Sequence, residues 1–150
     1  MHADPRLAVP ADLHAIETIV RLAYSPYIAR MGRPPGPMLD DYGVLIDNGR
    51  VYVAERDGTI QGVLVLIPER DAMLLDNVAV APAAQGTGLG RRLLHYAEQA
   101  ARAQGYRVIR LYTHETMTEN LARYARIGYA ETHRAEAHGL KRVFMAKPLD

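Results

Sequence analysis

Between Leu13 and Ala23 apolar residues return every third or fourth position, at Leu13, Ile16, Ile19, Val20 and Ala23. That period lays one apolar stripe along a helix, and Pro10-Ala11-Asp12 supplies its start. Residues 6–9 read as a short first strand. Residues 24–31 continue the helix or form a second short one. The run Gly32-Arg33-Pro34-Pro35-Gly36-Pro37 breaks the pattern as a surface loop, and residues 40–47 hold a further helical turn or two. The pattern then turns strand-like and β-branched over 51–55 and 60–67, around Asp57-Gly58, a hairpin signal. Residues 73–80 form a third strand that Pro82 ends. Over residues 89–103 the helical period returns, with Leu89, Leu93, Ala97, Ala100 and Ala101 on one face. Arg91, Arg92, His95, Glu98, Gln99 and Arg102 fall on the other. Gly105 stops that helix.

A strand over 107–113 follows. Thr116 and Glu119 have capping-box spacing and open a helix that runs to Ile127 and stops at Gly128. Residues 129–136 and 142–147 form a last hairpin around His138-Gly139. Antiparallel strands followed by a strand–helix–strand–helix core predict an α/β fold with a mixed sheet and helices on both faces.

Composition narrows the function classes. A chain of 150 residues, nearly half of them hydrophobic, predicts a single globular domain over 1–150 with a real core. The formal net charge of +1 gives no case for nucleic acid or a membrane surface as partner. No stretch approaches the ~20 apolar residues of a membrane span, and the first residues carry no apolar run of signal-peptide kind. The absence of cysteine excludes disulfides, thiol nucleophiles and thiolate metal sites and suits a cytoplasmic protein. His2, His14, His95, His133 and His138 have no metal-ligand spacing, so no metal is expected. A monomer or a homodimer is expected.

The chemistry begins at Gln85-Gly86-Thr87-Gly88-Leu89-Gly90, where glycine takes every second position in front of a helix. Each glycine weakens local structure by roughly 0.5–1 kcal/mol relative to alanine. The compensating feature is an anion site. The first N–H groups of a helix lack internal partners, the helix dipole favours negative charge there, and glycines let a phosphate approach the main chain. Arg91 and Arg92 put positive charge in the first turn, where it disfavours the helix and suits an anionic ligand. The dinucleotide fingerprint fails, because the sixth position from Gly86 is Arg91. The Walker loop is absent.

The order Gln-x-x-Gly-x-Gly remains, and "LLDNVAVAPAAQGTGLGRRLL" resembles the acyl-CoA-binding motif of the GNAT superfamily of N-acetyltransferases. "ENLARYARIGYAET" resembles the family's second signature, with Tyr124 four residues before Gly128-Tyr129. The two motifs stand in the family's order, one strand apart, and with their flanking elements cover nearly the whole chain. The resemblance implies a GNAT-like fold: a mostly antiparallel central sheet, helices on both faces and a splayed cleft for acetyl-CoA, the cosubstrate. It implies that the main chain of Val78, Ala79 and Val80 meets the pantetheine and acetyl carbonyl while their side chains are core. Gln85, Gly86, Thr87, Gly88, Leu89, Gly90 and Arg91 would wrap the pyrophosphate.

Acetyl transfer to an amine needs a neutral amine, a donor to the thioester carbonyl and a proton for the leaving thiolate. Tyr124 matches the family tyrosine that acts as general acid to the CoA sulfur. Asn120, four residues earlier, shares its helical face and would reach the pantetheine, although the family's asparagine position holds Met117 here. Two candidates for the base stay open: His114, with a suitable unperturbed pKa of about 6.5, and Asp76 on the central strand. Where some relatives carry a glutamate, twelve residues before Tyr124, this chain has Tyr112. Glu119 reads as the partner of Thr116 in the capping box. Tyr24, Tyr27, Met31 and the loop 32–38 are expected to meet the acceptor, a small-molecule or protein amine. No acidic cluster marks a polyamine site. The competing reading is a non-catalytic acyl-CoA-binding or sensing module on the same fold; O-acetylation is also chemically allowed.

Overall fold

The computed structural model describes residues 4–150; Met1, His2 and Ala3 lie outside the described residues. The elements are β1 (Arg6–Leu7), α1 (Leu13–Tyr24), α2 (Ile28–Met31), α3 (Tyr42–Asp47), β2 (Val51–Arg56), β3 (Thr59–Pro68) and β4 (Met73–Val80). They continue as α4 (Leu89–Ala103), β5 (Val108–His114), α5 (Thr118–Arg126), β6 (Ala130–Ala137) and β7 (Leu140–Pro148). One seven-stranded sheet has the order β1-β2-β3-β4-β5-β7-β6. Every neighbouring pair is antiparallel except β4 and β5.

The sheet is covered on both faces because β3 is apolar at successive positions. Val63 and Val65 pack with Ile16, Ile19 and Val20 of α1, and with Ile46 of α3. Leu64 and Leu66 point the other way and pack with Leu89, Leu93 and Ala97 of α4. All four β3 side chains are buried, as expected for a central strand with both pleat faces in the core. At Gly62 the helix comes so close that an added Cβ would sit 2.9 Å from Leu93 Cδ1 and 3.2 Å from Leu89 Cδ2. The close approach fixes α4, and the loop before it, against the sheet.

Several expectations shift. β1 ends at Leu7 rather than Val9. Val9 N–H donates to Asp12 Oδ2 (2.8 Å) and Pro10 has no N–H, so neither extends the ladder. Pro10–Asp12 and Ser25–Tyr27 are 3₁₀ turns flanking α1, and the Pro-Gly loop closes with a third over Gly36–Leu39. Glu98, expected on the outer face of α4, is buried and paired with Lys147 of β7 at 3.0 Å. The pairing lets a charge face the sheet. The capping box does not form: α5 starts at Thr118 after Met117, without a side-chain cap. Thr116 is held by His114 Nδ1, which lies 2.8 Å from its Oγ1 and accepts its backbone N–H at 3.2 Å. No helix is long and apolar enough to cross a membrane among the described residues.

Candidate functional site

β4 and β5 pair only through Met73, Leu74 and Leu75, opposite Ile109, Arg110 and Leu111. Beyond that point they separate. At the same place β4 carries a bulge toward β3: Val65 faces Asn77 while Leu66 faces Leu75, leaving Asp76 as the extra residue. A bulge bends its strand and re-aims side chains. The gap between the strands opens into two spaces, a long cleft on the α4–α5 side and a narrow chamber beyond it.

The cleft has a volume of about 820 Å³. One wall is the unpaired edge of β4, where Val78 and Val80 are half-buried and Ala79 is buried. Gln85 reaches back to donate from Nε2 to the Val80 carbonyl (3.3 Å). The wall continues through Gly86, Thr87, Gly88, Gly90 and Arg91. Gly86 and Gly88 have φ of 80° and 90°, a left-handed backbone that costs other residues roughly 1–2 kcal/mol. A Cβ on either would meet nothing within 4 Å, so their side-chain space opens toward the cleft rather than the core. Gly90 differs: a Cβ there would make only an ordinary contact with Val80. Leu89 corrects the expectation for its side chain, which is buried in the core; its contribution to the loop is main chain. The N–H groups of Leu89, Gly90 and Arg91 form the first turn of α4 and have no intrahelical acceptor. Bare backbone, a helix N-terminus and Arg91 fit a pyrophosphate.

The opposite wall comes from α5. Asn120 and Tyr124 line the cleft, as do Arg123 and Arg126. The two arginines were missed in the sequence; they stand in the last turn of α5, where cations suit the helix dipole. Glu119 also faces the cleft, but it binds Arg30 of α2 at 2.9 and 3.0 Å, and Arg30 also donates to the Thr116 carbonyl at 3.1 Å. Its own backbone N–H, the Tyr27 hydroxyl and Arg30 hold the Glu119 carboxyl down at about 2. These bonds tie α2 to the start of α5.

Tyr124, Asn120, Tyr24 and Val78 line both spaces. Tyr124 is 9% exposed, its ring set edge-on against Tyr129 at 5.8 Å. Its hydroxyl has no hydrogen-bond partner among the described residues and is not sealed in the core. Burial pushes it up to about 12, so it stays a protonated donor at neutral pH. Tyr24 Oη lies 2.5 Å from Asn77 Oδ1 and 3.0 Å from the Val78 carbonyl. Asn77 is buried and donates from Nδ2 to Tyr42 Oη (2.9 Å), which donates to the Pro37 carbonyl (2.5 Å). This relay pins the bulged part of β4 to α1, α3 and the Pro-Gly loop.

The chamber is lined by Met31 and Pro35 to Pro37 on one side and by Tyr112, His114 and Arg142 on the other. Asp76 forms part of its wall and accepts a hydrogen bond from Tyr112 Oη at 3.1 Å. Asp40 hydrogen-bonds Asp76; burial first, then that bond and the Asp76 charge, push the Asp40 carboxyl up to about 7. Asp40, thirty-six residues before Asp76 in the chain, carried no local signal that could have found it. His114 lines the same chamber with Nδ1 occupied by Thr116, and burial lowers its pKa. Of the residues expected to meet the acceptor, Met31 and the Pro-Gly loop line the chamber, Tyr27 lines the cleft and Tyr24 lies between. No group of three or more His, Asp or Glu is arranged to hold a metal ion among the described residues.

Comparison with known proteins bears on this geometry. The family described as acetyltransferase (GNAT) matches residues 15–129. The chain is 39% identical over 93 residues to an uncharacterized N-acetyltransferase in the hisH-hisA intergenic region of Azospirillum brasilense, covering 57% of this chain. It spans 55%, about half, of that curated relative's length. The ribosomal-protein-S18-alanine N-acetyltransferase of Escherichia coli superposes with a TM-score of 0.78 at 20% identity, over 99% of this chain and 94% of that one. The PaiA N-acetyltransferase of Thermoplasma acidophilum, in complex with coenzyme A, gives 0.77 at 19% identity, over 97% and 98%. At such identities these two likenesses speak for the fold.

Proposed function

This chain belongs to the GNAT family of acetyltransferases, and from that premise we propose that residues 1–150 form one N-acetyltransferase domain that moves the acetyl group of acetyl-CoA to a primary amine by direct attack in a ternary complex. The observation that carries the reading is the position of Tyr124, whose side chain lines both the cleft and the chamber. When bound, acetyl-CoA supplies an activated acetyl thioester. Gly86 to Arg91 hold its pyrophosphate through main-chain N–H groups and the Arg91 charge, and Arg123 and Arg126 add positive charge across the cleft. The free edge of β4 at Val78, Ala79 and Val80 aligns the pantetheine arm and the acetyl carbonyl, and Asn120 borders the arm from α5.

The chamber admits the amine. An amine with a pKa of about 10.4 is almost fully protonated at neutral pH, so attack requires a proton acceptor. Asp76, together with Asp40, takes that proton at the carboxylate oxygens. His114, whose pKa burial lowers, is the second acceptor on the same chamber. The amine nitrogen forms a bond to the acetyl carbon as the carbon–sulfur bond breaks. Tyr124 Oη gives its proton to the departing sulfur. A phenol suits that step because it donates without first carrying charge.

The test is acetyl-CoA turnover over a panel of primary amines, read as free thiol, with acetyl-CoA binding measured separately. Amine-dependent thiol release is expected. Tight binding with no release for any amine would instead support a binding or sensing module.

A further inference from the structure

We infer that the amine acceptor also carries a carboxylate, as a free amino acid does, with its ammonium on the Asp76–Asp40 pair and its carboxylate on Arg142. The inference rests on the acetyltransferase reading and names the substrate class of the same site.

The argument starts from Arg142. Two half-buried cations of this chain have a carboxylate: Arg92 binds Asp4 and Lys147 binds Glu98. Arg142 on β7 is half-buried and lines the chamber, yet makes no hydrogen bond or ion pair among the described residues. Its guanidinium lies 4.3 Å over the Tyr112 ring, which fixes its plane. A guanidinium held that way keeps its fork of N–H donors for a planar, bidentate anion, for which carboxylate is the natural match. Placing a cation in a partly dry cavity without a partner is costly, and a substrate anion removes the cost.

The negative end is fixed by the same tyrosine. Tyr112 lies under Arg142 with its ring and donates to Asp76 with its hydroxyl. One side chain therefore spaces the guanidinium from the carboxyl pair, and an amine and a carboxylate on one small molecule can reach both. Asp40 hydrogen-bonds Asp76, and Arg142 acts on Asp40 through its charge without forming an ion pair with either carboxyl, so the guanidinium's donors stay available. Tyr24, Tyr42, His114 and Tyr124 are the other titratable groups around the chamber. The chamber is small, about 40 Å³ against 820 Å³ for the cleft. It is bordered by Met31, Pro35, Pro37 and Leu140, which suits a compact acceptor with a short apolar body.

The experiment is calorimetric titration of the CoA-loaded protein with the twenty common amino acids, their amides, and a tetrapeptide amide with a free N-terminus. At least one amino acid should bind about tenfold or more tighter than its own amide, the loss expected for a charge-assisted hydrogen bond. In Arg142→Ala that difference should collapse. Arg142→Lys should keep part of it, because it retains the charge without the fork. Thermal melts identify any unfolded variant, and the Lys variant then carries the comparison. Amides binding as tightly as acids, a tetrapeptide binding tightest, or no amino acid binding at all would each overturn the inference. Amino acids that bind through Arg142 but are never acetylated would uphold the pocket assignment and sink the acetyltransferase reading instead.

Discussion

The cleft and the chamber meet at Tyr124 but are made of different material. The ligand-facing part of the cleft is largely main chain from one continuous stretch, the edge of β4 and the loop into α4. Its features are positive φ at Gly86 and Gly88, a helix N-terminus and an unpaired strand edge. The chamber is side chain, and its polar groups come from separate segments: Asp40 before α3, Asp76 on β4, Tyr112 on β5 and Arg142 on β7. In the proposed reading, a main-chain site recognises what all its ligands share, a phosphate and a pantetheine arm. A side-chain site can change one residue at a time, which is where acceptor choice is most easily altered.

The sharpest way to break this division is at the junction. Tyr124→Phe keeps the ring against Tyr129 and removes only the hydroxyl. Turnover should fall about 10²–10⁴-fold, while acetyl-CoA affinity and melting temperature stay near wild type. Full turnover under conditions where chemistry limits the rate would remove Tyr124 from the proton step. A joint collapse of stability and rate would make it a packing residue.

Next in size is the main-chain side. Gly88→Val puts a side chain into the open space before α4 and strains a backbone at φ 90°. Loss of one or two hydrogen bonds to a charged phosphate, about 1.5–3 kcal/mol each, should weaken CoA about 10²-fold or more. Affinity is checked by titration of the folded variant; an unchanged value would mean the phosphate does not sit at this loop.

A smaller effect separates the two regions through the core. Gly62→Ala drives a methyl into Leu93 and Leu89 and lifts α4. Overpacking of this kind costs about 1–3 kcal/mol, measurable by urea unfolding. CoA affinity should drop with it, since α4 carries the loop, while amino-acid binding in the chamber changes less. Equal losses at both sites would show that the two regions do not move separately.

The smallest effect is the pH response of the chamber. Asp40 is pushed up to about 7, from an ordinary carboxyl value of about 3.9 in the unfolded chain. Its protonated form is favoured on folding, so this contribution is fully present below about pH 4 and is lost as the pH rises through about 7. Asp76, Tyr112, Tyr42 and Arg142 all act on it. Wild type should therefore lose stability relative to Asp40→Asn between pH 5 and 8, seen as a narrowing gap or a crossing in paired thermal melts. The side chain is partly exposed, so solvent screening keeps the change modest. A constant difference across that range would mean that Asp40 is not protonated in the folded protein.

The sequence by itself determined the parts that are local. β4 and α4 have the predicted bounds, Met73–Val80 and Leu89–Ala103, because a proline stop and a 3.6-residue apolar period are properties of consecutive residues. The glycine loop was legible for the same reason, since positive φ and an unpaired helix start belong to neighbours in the chain. Tertiary structure decided the rest. Asp76 became an extra residue in a strand only when β3 and β4 paired out of step. Glu98 went inside because Lys147, forty-nine residues away, met it there. Thr116 gave up its capping role because His114 claimed it. The pairing of Asp40 with Asp76, and of Arg142 with Tyr112, depends on which strands lie side by side. A carboxyl or guanidinium carries no mark of that in its own neighbourhood: its charge state and partner are set by burial and by groups that only folding brings near.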